Sequence, residues 1–156
     1  FAYNALARPG LNRSLASSIV WFDAYVTNVD RTDRNVNMLI WQDRLWLIDH
    51  GACLYFHHNW PDYLARSQTA FPMISQHTLL PLATRLEEVD PILRGRLNPT
   101  ILRKIVDDVP DEWLAGESFF ADAAAHRSAY VDYLVHRLAA ASIFVEEAIR
   151  ARNLRV

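Results

Sequence analysis

Apolar and polar residues recur along this chain with two different periods, and the change of period locates its elements. Leu15, Ile19, Phe22 and Val26 are spaced so that a helix would carry them on one face. Ser14 stands in front of them as a capping residue, so a helix is predicted over about 15 to 27. A polar stretch from Asn28 to Asn35 interrupts the pattern. Beyond it, Val36 to Trp41 and Arg44 to Asp49 are short, apolar and rich in residues that suit a pleated surface. With Gln42-Asp43 between them they read as a β-hairpin.

From Gly51 onward the pattern is irregular and then helical, punctuated by Pro61, Pro72, Pro81, Pro91, Pro99 and Pro110. Asp90-Pro91 and Asn98-Pro99 each pair a capping residue with a proline at the first helical position, which predicts helices at about 91 to 96 and 99 to 107. Asp111 to Leu114 reads as a short helical turn. The stretch Phe120 to Arg152 is alanine-rich, lacks glycine and proline, and carries Tyr130, Leu134, Arg137 or Leu138, and Ile143 at roughly helical spacing, so one longest helix is predicted there. Pro9-Gly10 marks residues 1–13 as a loop or linker entering the domain, leaving 14–156 as one domain without repeats or low-complexity runs. The fold class is mainly α, an α+β arrangement of helices around one small hairpin.

Composition narrows the classes. At 51% hydrophobic and 22% charged residues the chain resembles an ordinary globular domain, which argues against disorder. A net charge of -2 provides no basic face for nucleic acid. The single cysteine, Cys53, excludes an intrachain disulfide and a four-cysteine zinc site, and fits a reducing compartment. No apolar run approaches the roughly 20 residues that span a bilayer, and Phe1-Ala2-Tyr3 has no signal-peptide pattern. A cytoplasmic protein with neither a nucleic-acid nor a membrane partner is expected.

The candidate chemistry lies where the periods change. Asn28 to Asn35 is too polar for a core and sits between a helix and a hairpin, a setting in which reactive groups are displayed. Asp49 follows the apolar strand in Leu47-Ile48-Asp49-His50-Gly51, where a half-buried setting is expected. A hairpin turning at Gln42-Asp43 sets Asn35 and Val36 opposite Asp49 and His50. An amide oxygen and a carboxylate are hard ligands suited to magnesium, which completes its shell with water and nucleotide phosphates. Asp30, five residues before Asn35, can share the space and take a proton from an attacking hydroxyl.

The two motifs, Asp30-Arg31-Thr32-Asp33-Arg34-Asn35 and Leu47-Ile48-Asp49-His50-Gly51, resemble the catalytic loop and metal motif of kinases. They depart from ordinary protein kinases, which have His-Arg around the base and Phe after the metal aspartate. They are closer to the HipA-like bacterial kinases and, more distantly, to the phosphatidylinositol 3- and 4-kinases. The resemblance extends from about Ser14 to the C-terminal helix, including Tyr55-Phe56-His57-His58-Asn59-Trp60 and Pro110-Asp111-Glu112-Trp113-Leu114. It implies ATP and magnesium as cofactors and transfer of a phosphoryl group to a hydroxyl, a serine or threonine on a protein substrate. Asp30 would be the base, Asn35 and Asp49 the metal and nucleotide ligands, and Arg31 would pair with a neighbouring carboxylate or contact phosphate.

Other readings carry less. Asp33 as base with Asn37 as ligand offers a second register, but Asn37 is expected inside the strand, where pairing directs its side chain. His50, His57 and His58 with Asp49 match no zinc spacing. Trp21, Trp41, Trp46, Trp60 and Trp113 read as core rather than as a stacking platform. Arg150, Arg152 and Arg155 suit the end of the last helix. Kinases also clamp ATP with a glycine-rich loop and a lysine on an N-terminal lobe. Here the four glycines are scattered and the single lysine, Lys104, lies far downstream of Asp49. The chain is therefore expected to be a C-terminal catalytic lobe whose N-terminal partner lobe is missing. The rival is a non-catalytic kinase-like binding or regulatory module.

Overall fold

The computed structural model describes residues 11–155, so the linker expected over 1–13, with Pro9-Gly10, lies largely outside the described residues. The first helix, α1 (Arg13–Tyr25), is capped by Asn12, whose side-chain oxygen accepts from Ser14 N at 2.8 Å and Leu15 N at 3.3 Å. The expected cap, Ser14, is already inside the helix. The buried face also differs from the expected one. Leu15 and Phe22 are exposed, whereas Ala16, Ser17, Ile19, Val20, Trp21, Asp23, Ala24 and Tyr25 are buried. Small residues at 16, 17 and 24 let the later helices approach closely, and Trp21 and Tyr25 fill the space beside them. Helix α1 thereby becomes the central element, with α3 (Leu86–Arg96) and α7 (Ala141–Arg155) packed against it.

The hairpin has the expected register. Strands β1 (Met38–Trp41) and β2 (Arg44–Leu47) pair antiparallel from Met38 with Leu47 to Trp41 with Arg44. Gln42 and Asp43 both have positive φ, as a tight two-residue hairpin turn requires. Each strand is shorter than expected, although Ile48 N still donates to the Asn37 carbonyl at 3.0 Å. The extended conformation then stops because Asn37 (φ 47) and Asp49 (φ 51) are both left-handed. Met38 and Ile40 point into the core, while Trp41 and Trp46 pack edge to face on the outside.

Between the hairpin and α3 the chain runs through 3₁₀ turns at Tyr55–His58, Pro72–Gln76 and Leu80–Leu82 and the short helix α2 (Tyr63–Ser67). Helix α3 begins at Leu86, not at 91, and Pro91 sits inside it. Glu87 and Glu88 in its first turn and Arg94 and Arg96 in its last complement the helix dipole and help offset the lost bond. Asp90 is not a cap; its carboxylate accepts from Trp21 Nε1 at 2.8 Å and ties α3 to α1. Helix α4 (Pro99–Asp107) starts as expected, with Asn98 accepting from Ile101 N at 3.0 Å, and α5 (Asp111–Leu114) follows.

The single long terminal helix expected over 120–152 is two helices, α6 (Ala123–Ala139) and α7, separated at Ala140. Nothing local breaks an alanine run. The break lets α6 pack on α2 and α4 while α7 turns back onto α1. Arg137 fixes this corner. It is buried and donates to the carbonyls of Ala24 (2.7 Å), Tyr25 (2.8 Å), Ser67 (3.2 Å) and Thr69 (3.2 Å), with its guanidinium 4.9 Å from the Phe144 ring centroid. The first two are end carbonyls of α1, which lack partners within the helix and carry its negative pole.

Trp21 and Trp60 are core residues, as expected. Trp41, Trp46 and Trp113 are not; Trp113 is 80% exposed. Trp60 belongs to a second aromatic cluster with Phe56, Phe120, His126, Tyr130 and Tyr133. Among the described residues no helix is long and apolar enough to cross a membrane.

Candidate active site

The site rests on a buried carboxylate that the sequence does not advertise. Asp23, on the inward face of α1, is fully buried and accepts from three side chains. Arg31 Nε reaches Oδ2 at 2.6 Å, His77 Nε2 reaches Oδ2 at 2.8 Å, and Asn28 Nδ2 reaches Oδ1 at 2.9 Å. Leu79 N donates to His77 Nδ1 at 3.0 Å, so Nδ1 is the acceptor and Nε2 is the nitrogen that donates to Asp23. Burial alone would raise the Asp23 pKa, but the hydrogen bonds from His77 and Arg31 and the Arg31 charge outweigh it and hold the carboxyl below its ordinary value.

Every partner of Asp23 continues into the polar loop. Asn28 Oδ1 accepts from Asp30 N at 3.0 Å, fixing the backbone at the expected base. Arg31 also donates to the Asn37 carbonyl, tying the loop to the mouth of the hairpin. Thr78 N donates to the Arg31 carbonyl at 3.1 Å, beside an isolated bridge between Thr32 and His77. Asn35 closes the loop, since its carbonyl accepts from Thr32 N at 3.0 Å and its amide nitrogen donates to Thr32 Oγ1 at 3.3 Å.

Within this frame Asp30 and Asn35 meet. Asn35 Nδ2 donates to Asp30 Oδ2 at 2.7 Å, and Asn37 Nδ2 reaches the same oxygen at 3.3 Å. Oδ1 of Asp30 and Oδ1 of Asn35 accept no hydrogen bond among the described residues. Asp49 follows Ile48, whose nitrogen makes the last backbone bond across the hairpin, to the Asn37 carbonyl, and the left-handed backbone at Asn37 and Asp49 ends the ladder there. Asp49 is exposed rather than half-buried, and its carboxylate has no hydrogen bond or ion pair among the described residues. A non-glycine residue in the left-handed region carries strain of order 1 kcal/mol or more. Here that conformation releases the carboxylate from the strand.

Arg31 lies in the site but not at its surface. It is buried and committed to Asp23 and Asn37, where it supports the loop. The alternative register separates, because Asp33 pairs with Arg155 at 3.2 Å while Asn37 lies before β1 and turns to Asp30. His50 and His58 are exposed, and His57 accepts or donates at Nδ1 with Tyr130 OH at 3.0 Å. Reading the chain alone missed Asp23, Asn28 and His77. The one local signal was a carboxylate within the inward stripe of α1, flanked by Val20 and Ala24.

Among the described residues no group of three or more histidines, cysteines, aspartates or glutamates is placed to hold a metal by itself. A cation at Asn35 Oδ1 and Asp49 would have one carboxylate and one amide oxygen, the sparse hard set that suits magnesium when phosphates and water fill the remaining positions. The residues present therefore fit a metal delivered with a nucleotide.

A helical lobe with an Asp-x-x-x-x-Asn loop and an Asp-x-Gly turn on either side of one hairpin has the layout of a kinase catalytic lobe. The family model described as HipA-like kinase matches residues 2–144, and the chain belongs to that family. The family as a whole depends on ATP and a metal ion. No curated protein and no solved structure gives a significant match.

Proposed function

We propose that this chain is the catalytic lobe of a serine/threonine protein kinase. The observation that carries the reading is the Asp30–Asn35 contact at 2.7 Å, which occupies one oxygen of the base and the nitrogen of the amide. Oδ1 of Asp30 is left to accept the proton of an acceptor hydroxyl, and Oδ1 of Asn35 is left to face a cation together with Asp49. Bound magnesium-ATP supplies the phosphoryl group and the positive charge that neutralises it. The chain's own contribution is positioning: Asn28 and Arg31 hold the loop that carries Asp30 and Asn35, and the hairpin connects that loop to Asp49. Residues 14–156 form the lobe in this reading. The phosphate clamp belongs to a partner lobe, since Lys104 lies on α4, which packs on α6.

The direct test is magnesium-dependent nucleotide binding by titration calorimetry, in protein carrying both lobes. Asp49→Asn should weaken the magnesium-dependent part of ATP affinity and lower phosphoryl transfer by roughly a hundredfold, the scale of losing one fixed charge from such a site. Equal affinity in the presence and absence of Asp49 would sink the metal assignment.

A further inference from the structure

The tip of the catalytic loop carries chemistry that the nucleotide side of the site does not use. Thr32, Asp33 and Arg34, together with Ser75 and Gln76 and with Arg155 at the end of α7, line a pocket of about 470 Å³. Every residue in that lining is polar. Arg155 is already spoken for, since it donates to Asp33 at 3.2 Å and to the His77 carbonyl at 3.1 Å. Asp33 is thereby neutralised. Arg34 is exposed and has no hydrogen bond or ion pair among the described residues, and the side chains of Ser75 and Gln76 likewise make none. Among the described residues the pocket thus holds one uncompensated positive charge beside a free hydroxyl and a free amide.

Its position relative to Asp30 follows from the loop. The Thr32–Asn35 turn is closed by two hydrogen bonds, and Asn35 touches Asp30 directly. At no more than about 3.6 Å per residue, Thr32 lies within roughly 7 Å and Arg34 within roughly 14 Å of Asp30, Cα to Cα. An extended acceptor with its hydroxyl at Asp30 covers that distance in two to four residues.

We propose that this pocket selects the acceptor: it takes a carboxylate side chain two to four residues from the hydroxyl that receives phosphate. Arg34 pairs with that carboxylate, and Ser75 and Gln76 bond its remaining lone pairs. Arg155, held by Asp33, forms the rigid far wall. The substrate class is then a serine or threonine peptide with nearby acidic residues. The placement of the hydroxyl rests on the phosphotransferase reading, whereas the charge preference rests on the pocket alone.

Three fluorescein-labelled peptides test it, sharing one serine and carrying glutamate, glutamine or lysine three positions away. Fluorescence anisotropy at moderate ionic strength should show the glutamate peptide bound about fivefold more tightly than the glutamine peptide, with lysine weakest. Arg34→Glu should invert the order of glutamate and lysine, and Arg34→Gln should abolish the discrimination. Equal binding of all three peptides, no measurable binding, or an unchanged order in Arg34→Glu overturns the proposal. The two readings fail separately. An Asp49→Asn protein that keeps its full magnesium-ATP response defeats the phosphotransferase reading, while the peptide order in the same protein still reports on Arg34.

Discussion

Two polar clusters lie within a few residues of each other here, and each is built around an aspartate bonded to asparagine. Around Asp23, a carboxylate, an asparagine, an arginine and a histidine are buried and bonded to one another. Around Asp30, the exposed Asn35 and the half-buried Asn37 both donate to one carboxylate oxygen, and the other oxygen makes no bond among the described residues. Burial separates their roles. A buried charge is stable only when its bonds are made, so the inner cluster is saturated and rigid. The outer cluster is solvated and can leave acceptors open for a ligand. The inner one holds the outer one through Asn28 and Arg31.

The sharpest way to break this comparison is to remove Asp23. Asp23→Ala leaves Arg31 and His77 buried without their acceptor and should cost about 3–5 kcal/mol in chemical denaturation. A loss under about 1 kcal/mol would mean that the inner cluster is not structural. Asn35→Ala, by contrast, should change stability by no more than about 0.5 kcal/mol, as for an exposed residue, while its magnesium-dependent nucleotide affinity falls. If Asn35→Ala unfolds the protein, the division between frame and site is wrong.

Acid should separate the clusters more gently. The Asp23 carboxyl is held below its unfolded value, so its share of stability is complete above an unfolded pKa of about 3.9 and is lost as pH falls through the lower folded value. His57 and His126 are also lowered, mainly by burial among aromatic rings. For them too the folded state resists protonation, so stability should begin to decline as pH falls below about 6.5. Melting temperatures followed from pH 7 to pH 3 should fall in two stages, and His126→Phe should shrink the first without touching the second. A single stage confined below pH 4 would remove the histidines from the account.

The smallest effect concerns Cys53. Burial pushes its thiol up to about 11, with the Asp23 charge adding to the rise. At pH 8 only about one molecule in a thousand is then thiolate, so alkylation should be roughly a hundredfold slower than for an ordinary cysteine near 8.5. Labelling at the rate of a free thiol would show that the region beside the inner cluster opens readily.

Some of this was legible because it is local. Asn98-Pro99 caps and starts a helix through its own bonds, and α4 begins there. The hairpin register follows from a two-residue turn and period-2 alternation, and β1 and β2 pair in it. Other features depend on partners far along the chain. Asp23 is paired by His77, 54 residues away, and Trp21 by Asp90, 69 residues away. The buried face of α1, which mixes Ala16, Ser17 and Ala24 with Trp21 and Tyr25, is the one packed by α3 and α7. Pro91 is tolerated mid-helix, and the alanine run breaks at Ala140, for the same reason: packing outweighs local preference.

The sequence alone determined that a polar loop carrying Asp30 and Asn35 leads into an apolar hairpin that ends at Asp49, because the spacing and turn chemistry are contained within twenty residues. Only the tertiary structure decided which of the loop's charges face solvent. It turned Arg31 inward onto Asp23, left Arg34 outward beside Ser75 and Gln76, and brought Asn37 to Asp30. A side chain's role depends on the dielectric and the partners around it, and neither exists until distant segments have packed.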